Sequence, residues 1–228
     1  MRRYMDTFLG LVMLLIISLL ASQGLEAVAA GSVPGKKVVV LDAGHGGSDP
    51  GKVGTNNALE KEVNLAIAKK VQAKLEEAGV EVLMTREDDG GLYQEGDSNK
   101  KIADLNARCR LIEKSGADIT VSIHQNSYHD NSISGPQVFY YKDSAEGKKL
   151  AEILQASFDG VVEKNTRKAK ANDNYYLLLH TKCPLVIVEC GFLSNPGEAD
   201  QLITEEYQEK IAEAVSRGIL GYLNAQTT

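Results

Sequence analysis

The sequence has no basic excess, no internal repeat, no G-x-S-x-G elbow and few cysteines, and each shortfall removes a class of function. Lys and Arg number 25 against 31 Asp and Glu, a formal net charge of −6. With no basic stripe either, this argues against a nucleic-acid partner. Cys109, Cys183 and Cys190 follow no metal-ligand spacing, and an odd number permits at most one internal disulfide. Buried free thiols are expected, because cysteine often behaves as a small core residue. No low-complexity tract or Pro/Ser linker divides the chain, so one domain is expected. Without the elbow motif there is no sign of a serine nucleophile.

One long apolar run is present, at the start. Arg2 and Arg3 lead into "FLGLVMLLIISLLA", and Ala27 and Ala29 supply small residues after it. This pattern predicts a secretory signal peptide over residues 1–29, or an uncleaved N-terminal anchor. The run is short of the roughly 20 apolar residues of a membrane span. A short linker (30–36) then precedes a domain over residues 37–228, which either way is exported across the cytoplasmic membrane.

Within that domain "KVVVLD" is continuously apolar, as a strand covered on both faces would be. Val63, Ala66, Ile67, Val71, Leu75 and Ala78 repeat at helix spacing, and Gly79 closes the segment. "VEVLMT" is a strand, residues 86–100 a polar loop, and 102–115 a helix ended by Gly116. "DITVSIH" is a further strand, 125–136 a loop, and "QVFYY" a strand by residue type. Leu150, Ile153, Leu154, Phe158 and Val161 mark a helix, and 163–174 a loop. "PLVIVE" is the last strand, and Tyr207, Ile211, Val215, Ile219 and Tyr222 mark a terminal helix. The alternation predicts an α/β fold, a mostly parallel sheet of about six strands flanked by helices on both faces.

In such sheets ligands bind outside the carboxyl ends of the strands. Three strands run out onto His45, His124 and Glu189, and Glu60 opens the helix after the first loop. Two imidazoles and a carboxylate suit zinc, which in catalytic sites takes three protein ligands and keeps a fourth position for water. The glycines around His45 let the backbone bend to present it. Each residue also has a plainer reading. His45 is a turn residue in "GHGG", Glu60 closes a capping box begun by Asn57, and His124 is a hydrogen-bonded strand end. Glu189 directly after "LVIV" is costly in a core unless paired or at a functional edge. Asp42 is expected to fix the His45 loop, Arg108 to form an ion pair or surface charge, and Cys190 to face the packing opposite Glu189. His129 and His180 have no demanded role.

The stretches "LDAGHGGSDPG", "LEKEVNLAIA", "TRED", "SIHQNS" and "VECGFLSNP", in this order, resemble the zinc-dependent N-acetylmuramoyl-L-alanine amidases of bacterial cell walls. The resemblance runs from about residue 37 to 223, with Ala43 where the family often has proline. It implies a twisted mixed sheet, zinc ligands at His45, Glu60 and His124, and a catalytic role for Glu189. "GPQVFYY", "NTRKAKANDNYYLL" and "GFLSNPGEADQL" resemble more narrowly the germination-specific branch of spore formers. That branch implies action on glycan strands with peptide stems in cortex peptidoglycan, in the cell wall or intermembrane space. It also implies cooperation with a muramic acid deacetylase that leads to muramic lactam, and in some relatives a lipoprotein activator. Asn126, Arg108 and Tyr175 are the expected substrate-binding residues. The loops 86–100 and 125–136 are the expected groove walls, and Tyr175 and Tyr176 either stack on sugar or pack on a strand. Two other readings stand beside this one. One is a zinc hydrolase of another amide, a peptidase or deacetylase; the other is a non-catalytic zinc or wall-binding module, which would need no Glu189.

Overall fold

The strand Val38–Ala43 is buried along its whole length, and that burial organises the rest of the fold. The computed structural model describes residues 35–161 and 165–226. The expected signal peptide or anchor lies outside the described residues, and residues 37–228 form one compact unit. Among the described residues no helix is long and apolar enough to cross a membrane. In chain order the elements are β1 (Val38–Ala43), α1 (Glu60–Glu77), β2 (Glu81–Met84), α2 (Lys100–Ser115), β3 (Ile119–Asn126) and β4 (Gln137–Tyr141). They continue with α3 (Ala145–Ser157), β5 (Lys170–Asn172), α4 (Tyr176–His180), β6 (Leu185–Phe192), α5 (Pro196–Leu202) and α6 (Glu205–Ala225).

The strands form one six-stranded sheet in the order β2-β1-β3-β6-β4-β5. β1 pairs in parallel with β2 and β3, and β3 with β6. β4 runs antiparallel to β6 and parallel to β5, which makes the sheet mixed. Alternate residues of β1, β3 and β6, such as Leu41, Ile123 and Val188, pack with Ile67 of α1, Leu154 of α3 and Ile219 of α6. Val40 and Ile187 face the other way, against Ile112 of α2 and Leu178 of α4. Burial on both faces is why these strands read as unbroken apolar runs rather than as alternation.

Local chemistry sets the element ends. Gly79 (φ +83°) ends α1 in a Schellman motif, with its N–H on Glu76 O and the Val80 N–H on Leu75 O. α2 starts two residues before its apolar pattern, because Asn99 Oδ1 accepts the Ile102 N–H at 3.1 Å. The pattern reaching Val161 overshoots α3, which stops at Ser157. The polar segment 163–174 contains the short edge strand β5, and α4 and α5, of 5 and 7 residues, are two further elements beyond those expected. Elements this short carry less than two turns of pattern. For α5 a capping signal did exist, since Asn195 Oδ1 accepts the Glu198 N–H at 3.0 Å and Pro196 follows it.

Candidate metal centre

After Ala43 the chain leaves the sheet through a turn in which His45 itself has a positive φ of 63°. Such backbone is uncommon outside glycine and is kept only when the surroundings enforce it. Two glycines nearby are required by close approach. A Cβ on Gly44 would lie 2.3 Å from the His124 ring, and one on Gly51 2.6 Å from Glu60 Oε2. The permissive backbone therefore exists to let three side chains crowd together.

Those side chains come from the β1 loop, the start of α1 and the end of β3. His45 Nε2 lies 3.2 Å from Glu60 Oε2, and His124 Nδ1 lies 2.9 Å from Glu60 Oε1. One donor atom from each residue falls within 4.8 Å of the others. The Glu60 carboxylate also accepts the Lys52 N–H at 2.7 Å and the Gln125 N–H at 3.1 Å. It closes no capping box: the helix N-cap is Leu59, which offers no side-chain cap. His45 Nδ1 sits 3.0 Å from Asp49 Oδ2, an outer carboxylate of the kind that orients metal-bound imidazoles. Burial disfavours charge on Glu60, yet the flanking imidazoles hold its carboxyl far below the usual range. Burial likewise opposes charge on His45, but Glu60 and Asp49 push it up to about 9. A carboxylate between two imidazoles, with one imidazole backed by a second acid, is a donor set that fits zinc.

Beside this cluster stands Glu189. The β3–β6 register pairs it with His124. It is 5 % exposed, its Oε1 accepts the Tyr175 hydroxyl at 3.2 Å, and its Oε2 is buried with no partner among the described residues. Burial pushes its carboxyl up to about 7, against the pull of nearby His124. A carboxyl with that value can both take and return a proton near neutrality. A cavity of about 270 Å³ opens next to His45 and His124, walled by Tyr93, Lys100, Lys101, Leu105 and Leu177.

Residues 39–221 match the N-acetylmuramoyl-L-alanine amidase family. The chain belongs to that family. Over 224 residues this amidase is 39% identical to the germination-specific N-acetylmuramoyl-L-alanine amidase of Bacillus subtilis, covering 96% of this chain and 94% of that one. The CwlD amidase from Clostridioides difficile, solved in complex with the GerS lipoprotein, is 41% identical. It superimposes with a TM-score of 0.80 over 83% of this chain and 100% of that chain. An N-acetylmuramoyl-L-alanine amidase from Clostridium difficile 630 is 32% identical, with a TM-score of 0.74 over 84% of this chain and 98% of that one.

The other expected site residues of the amidase fall in different places. Tyr175 precedes α4 and packs on a strand, its ring edge-on to Phe139 of β4 at 5.6 Å, while its hydroxyl meets Glu189. Tyr176 stacks on His180 and bonds Asn106 Oδ1 at 2.8 Å. Asn126 ends β3, where its Oδ1 accepts the Ser127 N–H at 2.8 Å. Arg108 is 1 % exposed, forms the expected ion pair with Asp42 and a second with Asp104, and belongs to the lining of the cavity. Its donors go to Asp42 Oδ1 (2.6 Å), Ala43 O (2.8 Å), His45 O (2.5 Å) and Asp104 Oδ2 (2.6 Å), which leaves it an internal brace. Asp42 completes the brace by accepting the Ser122 and Thr85 hydroxyls. The 86–100 loop lines the cavity through Tyr93 and Lys100, whereas the described lining includes none of 125–136. Cys190 is buried in the core on the face opposite Glu189, and all three cysteines are free.

Proposed function

We propose that this amidase, loaded with zinc by His45, Glu60 and His124, hydrolyses the amide joining the lactyl group of muramic acid to L-alanine in spore-cortex peptidoglycan. The observation that carries the reading is the pairing of the buried, half-satisfied Glu189 with His124, one of the three clustered donors. Zinc, when bound, polarises the lactyl carbonyl and makes water a better nucleophile at neutral pH. Glu189 takes the proton of the attacking water through its free Oε2, then delivers it to the departing alanine nitrogen. Tyr175 holds the other oxygen of Glu189 in place. The cavity beside the histidines receives the chain on one side of the scissile bond.

The cortex assignment draws on the germination-specific relative of Bacillus subtilis. The complex of the Clostridioides difficile relative with a lipoprotein supports a lipoprotein partner here. Removal of stem peptides leaves muramic acid ready for a deacetylase, whose product closes to muramic lactam. Residues 1–29 act as the export segment or anchor and residues 37–228 as the catalytic domain. This places the amidase beyond the cytoplasmic membrane, at the wall or cortex.

The test is mass analysis of cortex fragments after incubation with the zinc-loaded chain. The reading expects free lactyl carboxylates on muramic acid together with peptides that begin at L-alanine. Cleavage within the stem, or loss of acetyl groups alone, would replace it with the peptidase or deacetylase reading.

A further inference from the structure

The "TRED" stretch (85–88) takes no part in the chemistry above, yet its arginine is bonded to the backbone on which two of the three donors are carried. Arg86 is 5 % exposed. Its Nε donates to Ala43 O at 2.9 Å, its Nη2 to Gly44 O at 3.1 Å and Lys61 O at 2.7 Å, and its Nη1 to Asp88 O at 2.8 Å. All four partners are backbone carbonyls, and among the described residues no carboxylate forms an ion pair with it. Burying a cation this way is costly, so its retention has to be accounted for by what it holds.

What it holds are the two segments that carry metal ligands. Ala43 and Gly44 lead directly into His45, and Lys61 directly follows Glu60. One planar guanidinium thus ties the His45 turn to the start of α1. These are the segments whose ligand atoms sit 3.2 Å apart. Arg108 covers the remaining carbonyl, that of His45. The carbonyls of Ala43, Gly44 and His45 are therefore all gripped by two buried arginines. A lysine at position 86 would keep the charge but lose the fork that spans both segments.

We propose that Arg86 is a positioning residue: it fixes the separation of His45 from Glu60 and so sets the affinity of the centre for metal. This deepens the zinc reading and rests on it. The test is zinc affinity of the purified full chain, measured by competition with a chromogenic chelator, for wild type, Arg86→Lys and Arg86→Gln, with circular dichroism on each. The expected result is a folded Arg86→Lys chain whose zinc dissociation constant is weaker by about tenfold or more, the usual scale for losing an outer support of a metal site. A folded variant with the wild-type constant would overturn the proposal. Loss of fold in both variants would make Arg86 a stability residue only, and would overturn it too. Failure of the wild-type chain to take zinc is a separate outcome that removes the underlying reading, and this proposal with it.

Discussion

His124 and Glu189 occupy paired positions on the neighbouring parallel strands β3 and β6, so their side chains leave the sheet on the same face. One belongs to the donor cluster and the other does not. That division predicts that the two respond differently to substitution. Glu189→Gln keeps the shape and the zinc, while turnover of cortex muropeptides falls by about 10²–10⁴-fold, the usual weight of a general acid–base. A variant retaining wild-type turnover would remove Glu189 from the proton transfer.

Tyr175 acts on the same carboxyl. Its hydroxyl donates to Glu189 Oε1 and so favours the ionised form. Tyr175→Phe should leave Glu189 harder to ionise, and the acidic limb of the kcat/KM profile should move to higher pH, with a loss of about tenfold at neutrality. An unshifted limb would mean the hydroxyl serves packing only.

Gly44 has no room for a methyl group, because a Cβ would stand 2.3 Å from the His124 ring. Gly44→Ala therefore displaces a ligand without touching a donor atom. Zinc affinity should fall by about tenfold or more while the helical signal in circular dichroism persists. Unchanged affinity would show that the ring can move aside at no cost.

Much of this was legible in sequence. The buried strands announce themselves as apolar runs, and in a parallel sheet the residue after each run reaches one common edge. That logic reaches His45, His124 and Glu189. Glu60 is legible as the first residue of a helix facing the same edge, with a helix cap as its plainer reading, and the fold settles this by turning its carboxylate towards the histidines. The Asp42 contact to the His45 loop and an ion pair for Arg108 were legible, but Arg86 was not legible as a brace, because a buried arginine bonded only to carbonyls leaves no periodic signal. Only coordinates reveal which carbonyls it meets. β5, α4 and α5 escaped for want of length.

The Asp42–Arg108 brace has a pH signature. Burial opposes ionisation of Asp42, but Arg108 and the Ser122 hydroxyl outweigh it and hold the carboxyl at about 2, below its ordinary 3.8. A depressed carboxyl contributes stability above its unfolded value and loses it as pH falls through its folded one. The contribution, about 2 kcal/mol, is thus present above about pH 4 and disappears towards pH 2. Asp42→Asn should lower stability at pH 6 by about 2 kcal/mol, the ionic contribution of that carboxylate, because the buried Arg108 keeps Asp104 as its second ion-pair partner. In urea titrations of the metal-free chain the gap to wild type should narrow as pH drops to 2. A gap constant with pH would mean the pair is not ionic.

The central claim is that His45, Glu60 and His124 share one metal ion and Glu189 stands by without binding it. Anomalous diffraction at the zinc edge from zinc-soaked crystals tests this most directly. The expected result is a single peak about 2.0–2.2 Å from one atom of each of those three side chains, with Glu189 beyond bonding distance. A peak bound by Glu189, or one that leaves out any of the three, would contradict it.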